Sequence, residues 1–137
     1  ILDFSRVKEI ITTRGNPTHI GMASIGGSFY PIGIEDDCGL YIRLGENNLK
    51  VKAAVAPGVI SEIAIEKYQV LNLNDRIEIT DKPSILALDG EREVEIYADD
   101  RVEVELCREG PYVVKIEEML EEAVKQGYFI SSGVLTP

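Results

Sequence analysis

The chain of 137 residues has no tryptophan, one histidine, two cysteines and two methionines. One histidine excludes any histidine-rich metal centre. With no Gly-x-Ser-x-Gly elbow beside it, a Ser-His-Asp hydrolase site has no support either. Cys38 and Cys107 lie far apart, without a neighbouring Cys or His at metal-ligand spacing, and read as two reduced thiols. Basic residues are few: 14 Lys and Arg stand against 24 Asp and Glu, for a net charge of −10. Such a surface repels nucleic-acid phosphates and anionic lipid headgroups, so neither is an expected partner. No apolar run approaches the length of a membrane span, and no signal-peptide pattern opens the chain. The expected compartment is the cytoplasm. Neither Gly-x-x-x-x-Gly-Lys-Ser/Thr nor a strand–Gly-x-Gly-x-x-Gly–helix unit occurs, so no familiar phosphate cradle is encoded.

What is present is β signal. Hydrophobic content of 45% and charged content of 28% suit one globular domain over 1–137. Strand-like runs cover Val7–Thr12, Leu40–Leu44, Leu49–Ala56, Val59–Ile65, Tyr68–Leu73, Arg76–Thr80, Ile85–Leu88, Glu91–Ile96, Val102–Leu106 and Tyr112–Ile116. Several alternate apolar and charged residues, as half-buried antiparallel strands do. Arg14–Gly33, with five Gly and two Pro, reads as a turn-rich connection. The one helical pattern is at 116–126. Ile116, Met119, Leu120, Ala123 and Val124 share a face, and Gly127 stands where a helix stops. The residues from 128 to 137 read as a final strand or a docking arm. The expected fold is mainly β: an antiparallel sandwich or barrel-like set of sheets with one C-terminal amphipathic helix. The chain opens at Ile1, without methionine, close to a strand-like run, which fits a piece of a longer polypeptide.

Two stretches could carry chemistry. Asp89-Gly90 between two strand-like runs is the strongest short-range hairpin signal, since a type I′ turn needs positive φ at both central residues. Glu91 beside Asp89 could orient or deprotonate a hydroxyl if the tip faces a cleft. On residue types alone a solvated turn is the favoured reading. Arg14–Pro31 holds Thr18, His19 and Ser24 next to Gly26-Gly27, where a backbone could approach a phosphate. A plain β connection explains the same residues.

Three blocks, in this order, carry a resemblance: RGNPTHIGMASIGG (14–27), VAPGVISEIAIEKYQVL (55–71) and KPSILALDGEREVEI (82–96). Together they resemble the C-terminal β domain of the ATP-NAD kinases and their diacylglycerol and sphingosine kinase relatives. The likeness is best to the acetoin-catabolism X-type branch. The resemblance implies a two-domain parent, whose α/β N-terminal domain carries a Gly-Gly-Asp-Gly-Thr nucleotide motif. That motif is absent here, as is a Thr-Gly-Ser-Thr-Ala-Tyr-type motif. It further implies Glu91 and Asp89 at the reaction centre, and Thr18, His19, Ser24, Gly26, Gly27 and Gly90 on the nucleotide side. ATP and Mg²⁺ would act in the intact protein, with none bound by this chain alone. NAD or another hydroxyl compound would be the acceptor, the N-terminal domain a partner, and a homo-oligomer the expected assembly. A stand-alone β module for ligand binding or oligomerisation, and a diacylglycerol-type lipid kinase domain, are the alternatives.

Overall fold

The computed structural model describes residues 4–133. A 3-10 turn, Phe4–Arg6, leads into β1 (Glu9–Thr12); α1 (Met22–Gly27) follows. Two long strands come next, β2 (Cys38–Ala56) and β3 (Val59–Asn72). The short strands β4 (Arg76–Glu78), β5 (Ser84–Leu88), β6 (Arg92–Ile96) and β7 (Glu103–Glu105) precede α2 (Ile116–Lys125). All these strand pairs are antiparallel. They form a three-stranded sheet in the order β1-β2-β3 and two ribbons, β4-β7 and β5-β6. The fold is mainly β with a C-terminal helix, as the alternation predicts. No closed barrel forms among the described residues.

Two pairs of expected strands are in fact single strands. Leu40–Leu44 and Leu49–Ala56 both belong to β2; Val59–Ile65 and Tyr68–Leu73 both belong to β3. Leu44 and Leu49 lie opposite the same residue, Ile65, so residues 45–48 bulge out of the ladder. On β3 the pairing steps from Lys67 to Ile65 and skips Glu66. A bulge shifts side-chain phase by one and turns the next residues to the other face. Leu40 and Ile42 before the excursion, and Val51 and Ala53 after it, therefore share one core. Ile63 and Ile65 meet them from β3.

Arg14–Gly33 is more than a connection, which is a second correction. It contains α1, too short for its periodicity to be read. Ile25 is fully buried, and Gly26 lies so close to the sheet that a Cβ would stand 3.2 Å from Leu40 Cδ2 and 3.6 Å from Ile42 Cδ1. The helix thus covers the face carrying Ile10, Leu40 and Ile42. The opposite face carries Gly39, Tyr41 and Arg43. There Leu106, just past β7, comes within 3.4 Å of where a Gly39 Cβ would stand, and Asp81 reaches Arg43. The central sheet is therefore layered on both sides, sandwich-fashion. Each fully buried Ile or Leu in such a core contributes roughly 1.5–3 kcal/mol.

The expected strand Tyr112–Ile116 does not form. Residues 112–115 carry no regular structure, and Tyr112, Val113 and Val114 are exposed. Gln126–Phe129 are turns and 131–133 bends, so no final strand occurs up to Gly133; the rest of the expected tail lies outside the described residues. The helix is where the pattern puts it. Gly127 (φ 74°) ends it in a Schellman motif: its N–H donates to Val124 O and that of Tyr128 to Ala123 O, each at 3.0 Å. No residue of α2 is buried. No helix among the described residues is long and apolar enough to cross a membrane.

Candidate functional site

The β5-β6 hairpin turns through Asp89 (φ 54°) and Gly90 (φ 74°), as the Asp-Gly pair predicts. The N–H of Glu91 closes the turn on Leu88 O at 3.1 Å. Pairing resumes at Leu88↔Arg92, so β6 begins one residue later than expected and Glu91 belongs to the turn. Leu86 faces Val94, and Ser84 faces Ile96. Ile96 at the root is buried, whereas Val94 nearer the tip is 47% exposed. The hairpin is thus anchored at its base and projects from the body. At the tip Asp89 Oδ2 accepts from Arg92 Nη2 at 3.4 Å, a loose and solvated pair worth little by itself. Asp89, Gly90 and Glu91 are all exposed.

The second candidate stretch is divided by the structure. Thr18 and His19 are exposed. Asn16 Oδ1 accepts from Thr18 N and Thr18 Oγ1, both at 2.9 Å, and His19 N donates to Asn16 O at 3.0 Å. Ser24, Gly26 and Gly27 lie in the core instead. The Ser24 hydroxyl faces two carbonyls, Gly21 O at 2.7 Å and Ala54 O at 3.0 Å, and fastens α1 to β2. A Cβ on Gly27 would stand 2.3 Å from Asn16 N. The glycine pair therefore serves a close crossing of two backbone segments.

The best-built polar cluster escapes a reading of the sequence alone. Arg43 Nη1 donates to Glu9 Oε1 at 2.8 Å, Nε to Glu66 Oε2 at 3.3 Å and Nη2 to Asp81 Oδ2 at 3.4 Å. Tyr41 Oη donates to the same Glu9 oxygen at 2.9 Å, and Lys67 lies over the Tyr41 ring at 5.8 Å. Burial, and then the hydrogen bond to Glu9, push the Tyr41 phenol above its ordinary value of 10.0. One guanidinium here joins β1, β2, the β3 bulge and the Asp81 turn. Its only trace in the sequence is a charged residue interrupting the apolar run Leu40–Leu44. With its donors and acceptors matched to one another, the cluster acts as a fastening.

A sequence-family model described as acetoin catabolism protein X C-terminal domain matches residues 1–109. The chain belongs to this family. Acetoin catabolism protein X of Cupriavidus necator is 35% identical to it over 94 residues, which are 66% of this chain and 26% of the relative. The chain thus spans about a quarter of that curated relative's length. No solved structure matches it. The family match takes in the central sheet, α1, the Arg43 cluster and the Asp89-Gly90 hairpin. It ends before α2, so the helix lies outside the matched acetoin catabolism protein X domain.

The groups implied by the kinase resemblance can be weighed against these residues. Ser24, Gly26 and Gly27 offer no open cradle to a phosphate, because core packing occupies all three. No group of three His, Cys, Asp or Glu among the described residues is placed to hold a metal ion.

Proposed function

We propose that this chain is the acceptor-side C-terminal domain of an ATP-dependent, NAD kinase-like phosphotransferase of the acetoin catabolism protein X type, inactive alone. The observation that carries this reading is the hairpin tip. A turn fixed by Asp89 and Gly90 holds the Glu91 carboxylate on a projecting ribbon, in the open. A carboxylate so presented can orient an acceptor hydroxyl and take its proton once a complementary surface closes over it. Gly90 leaves room for that approach. Thr18 and His19 are exposed as well and would contact an acceptor such as NAD. Phosphate and metal binding fall to the rest of the parent protein. The match to a quarter of a longer relative supports this division.

The test is ATP-dependent formation of NADP by the full-length protein and its Glu91→Gln variant. The expected loss in kcat is about a hundredfold or more, the range for removal of a general base. Folding and the KM for ATP stay unchanged. An undiminished rate overturns the role of Glu91, and robust NADP formation by the 137-residue chain alone overturns the division of labour. A second reading, a module for assembly, is favoured by the bare apolar face of α2.

A further inference from the structure

The β5-β6 ribbon pairs with no other described strand, so no sheet ladder fixes its direction. Below it, the Ile79 N–H donates to Val102 O at 3.0 Å and extends the β4-β7 ribbon by a step. Above, the first hairpin pair is Ser84↔Ile96. Residues 80–83 and 97–101, between the two ribbons, hold turns and bends but no strand, and form a joint. Ile79 and Ile96 are buried at its two ends, yet apolar burial is non-directional and lets a ribbon roll on its seat. The directional contacts are polar. Asp100 folds the outgoing leg: its N–H donates to Tyr97 O at 3.1 Å, and its Oδ2 accepts from Tyr97 N at 2.8 Å. Lys82 Nζ donates to Asp100 O and clasps the two legs together. The contact that leads from the joint to the central sheet is Asp81, whose Oδ2 accepts from Arg43 Nη2 at 3.4 Å. Glu9 and Glu66 hold the same guanidinium at 2.8 Å and 3.3 Å, so Asp81 meets a donor already fixed in place.

We propose that Asp81 is a positioning residue: through Arg43 it sets the angle at which the β5-β6 hairpin leaves the sheet, and so where Glu91 stands. The catalytic consequence rests on the role proposed above for Glu91; the angle itself does not. Leverage makes a weak contact matter. The five residues of β5 carry the tip about 17 Å from the joint, at about 3.4 Å per residue. A tilt of about 4° at the joint then moves the tip by about 1 Å, a misplacement that can cost about a hundredfold in rate. The Arg43–Asp81 pair is part-exposed and adds little to stability. Its loss should therefore swing the hairpin without unfolding the protein.

Residual dipolar couplings of the backbone amides in the 137-residue chain test this directly. One alignment should fit β2, β3 and the hairpin together. In Asp81→Ala the hairpin should need an alignment of its own, while couplings within β2 and β3 stay as before. Asp99→Ala removes the same charge from an exposed position on the outgoing leg and should change nothing. In the full-length protein Asp81→Ala should lower kcat about tenfold, with the KM for ATP and the melting temperature unchanged. Hairpin couplings indifferent to Asp81→Ala overturn the proposal, as does an equal response to Asp99→Ala. So does an unaltered chain whose hairpin already needs a separate alignment. A hairpin that reorients while kcat holds, where Glu91→Gln lowers it, overturns the link to catalysis. If Glu91→Gln leaves the rate intact, the role of the tip falls, and the couplings still decide whether Asp81 sets the angle.

Discussion

Gly27 shows how little freedom a single position can have. A methyl group there would overlap the Asn16 backbone at 2.3–2.7 Å, and the neighbouring Gly15 is held by its bridge to Ile32. Gly27→Ala is expected to cost roughly 3 kcal/mol or more, the range of severe overpacking and strain, seen as a lower urea midpoint with an unchanged m-value. Arg43 is critical for a different reason. Without it the Glu9 carboxylate, whose side chain is 10% exposed, is left with the Tyr41 hydroxyl and, among the described residues, no countercharge at hydrogen-bond distance. Arg43→Ala should cost about 1–3 kcal/mol, since the part-buried Glu9 carboxylate loses its charged partner. Tyr41 gives a pH signature. Its folded phenol holds its proton above 10.0, where an unfolded tyrosine begins to lose it. This group contributes no slope below that value, and stability falls as pH rises from there toward the folded value. Tyr41→Phe should remove that alkaline slope, at about 1 kcal/mol lost near neutrality with the hydrogen bond. Thermal melts across the alkaline range would check both.

At the scale of elements, the hairpin β5-β6 is the most local piece of the molecule. Its turn type comes from two adjacent residues, and its tip stands clear of the core. Gly90→Ala forces an L side chain to φ 74°, a strain of about 1–2 kcal/mol partly offset by a stiffer unfolded chain. The expected net loss is about 1 kcal/mol. Hydrogen exchange should show it as faster opening of Ser84–Ile96, while the amides of β2 and β3 remain as protected as before. The same locality explains what is legible in the sequence. Asp89-Gly90, Gly127 and the stripe of α2 are signals carried within a few neighbouring residues, and each forms where it points. The long strands are harder, because the break in alternation at 45–48 and at Glu66 looks like the end of a strand. Only pairing across the sheet reveals a bulge in a continuous one. The helix α1 is invisible for a related reason. Its six residues include two glycines, and tertiary packing on Leu40 and Ile42 overrides their poor propensity. The Arg43 cluster draws its carboxylates from positions 9, 66 and 81, separations that no spacing rule connects.

At the scale of the whole molecule, the buried core and the exposed C-terminal helix lie apart along the chain. The family match ends at residue 109, and the buried core lies entirely before it, from Ile10 to Ile96. Beyond it the described chain is tied back by exposed polar contacts: Lys115 Nζ lies 3.7 Å from Glu35 Oε1, while Arg108, before the boundary, reaches Asp37 and Glu35 O. Such contacts contribute at most about 1 kcal/mol each. A chain ending at Glu109 should therefore melt like the full chain when both are dilute. At high concentration the two should part. Mass action stabilises whatever binds the folded state, so the full chain should gain melting temperature with concentration and the shortened one should not. Differential scanning calorimetry over a concentration series separates the possibilities. A shortened chain that fails to fold would mean that α2 belongs to the core despite its exposure. A full chain whose melting temperature ignores concentration would mean that its apolar stripe is not a self-association surface. A rising curve for the full chain beside a flat one for the shortened chain would place the fold in residues 1–109 and the assembly in residues 110–137.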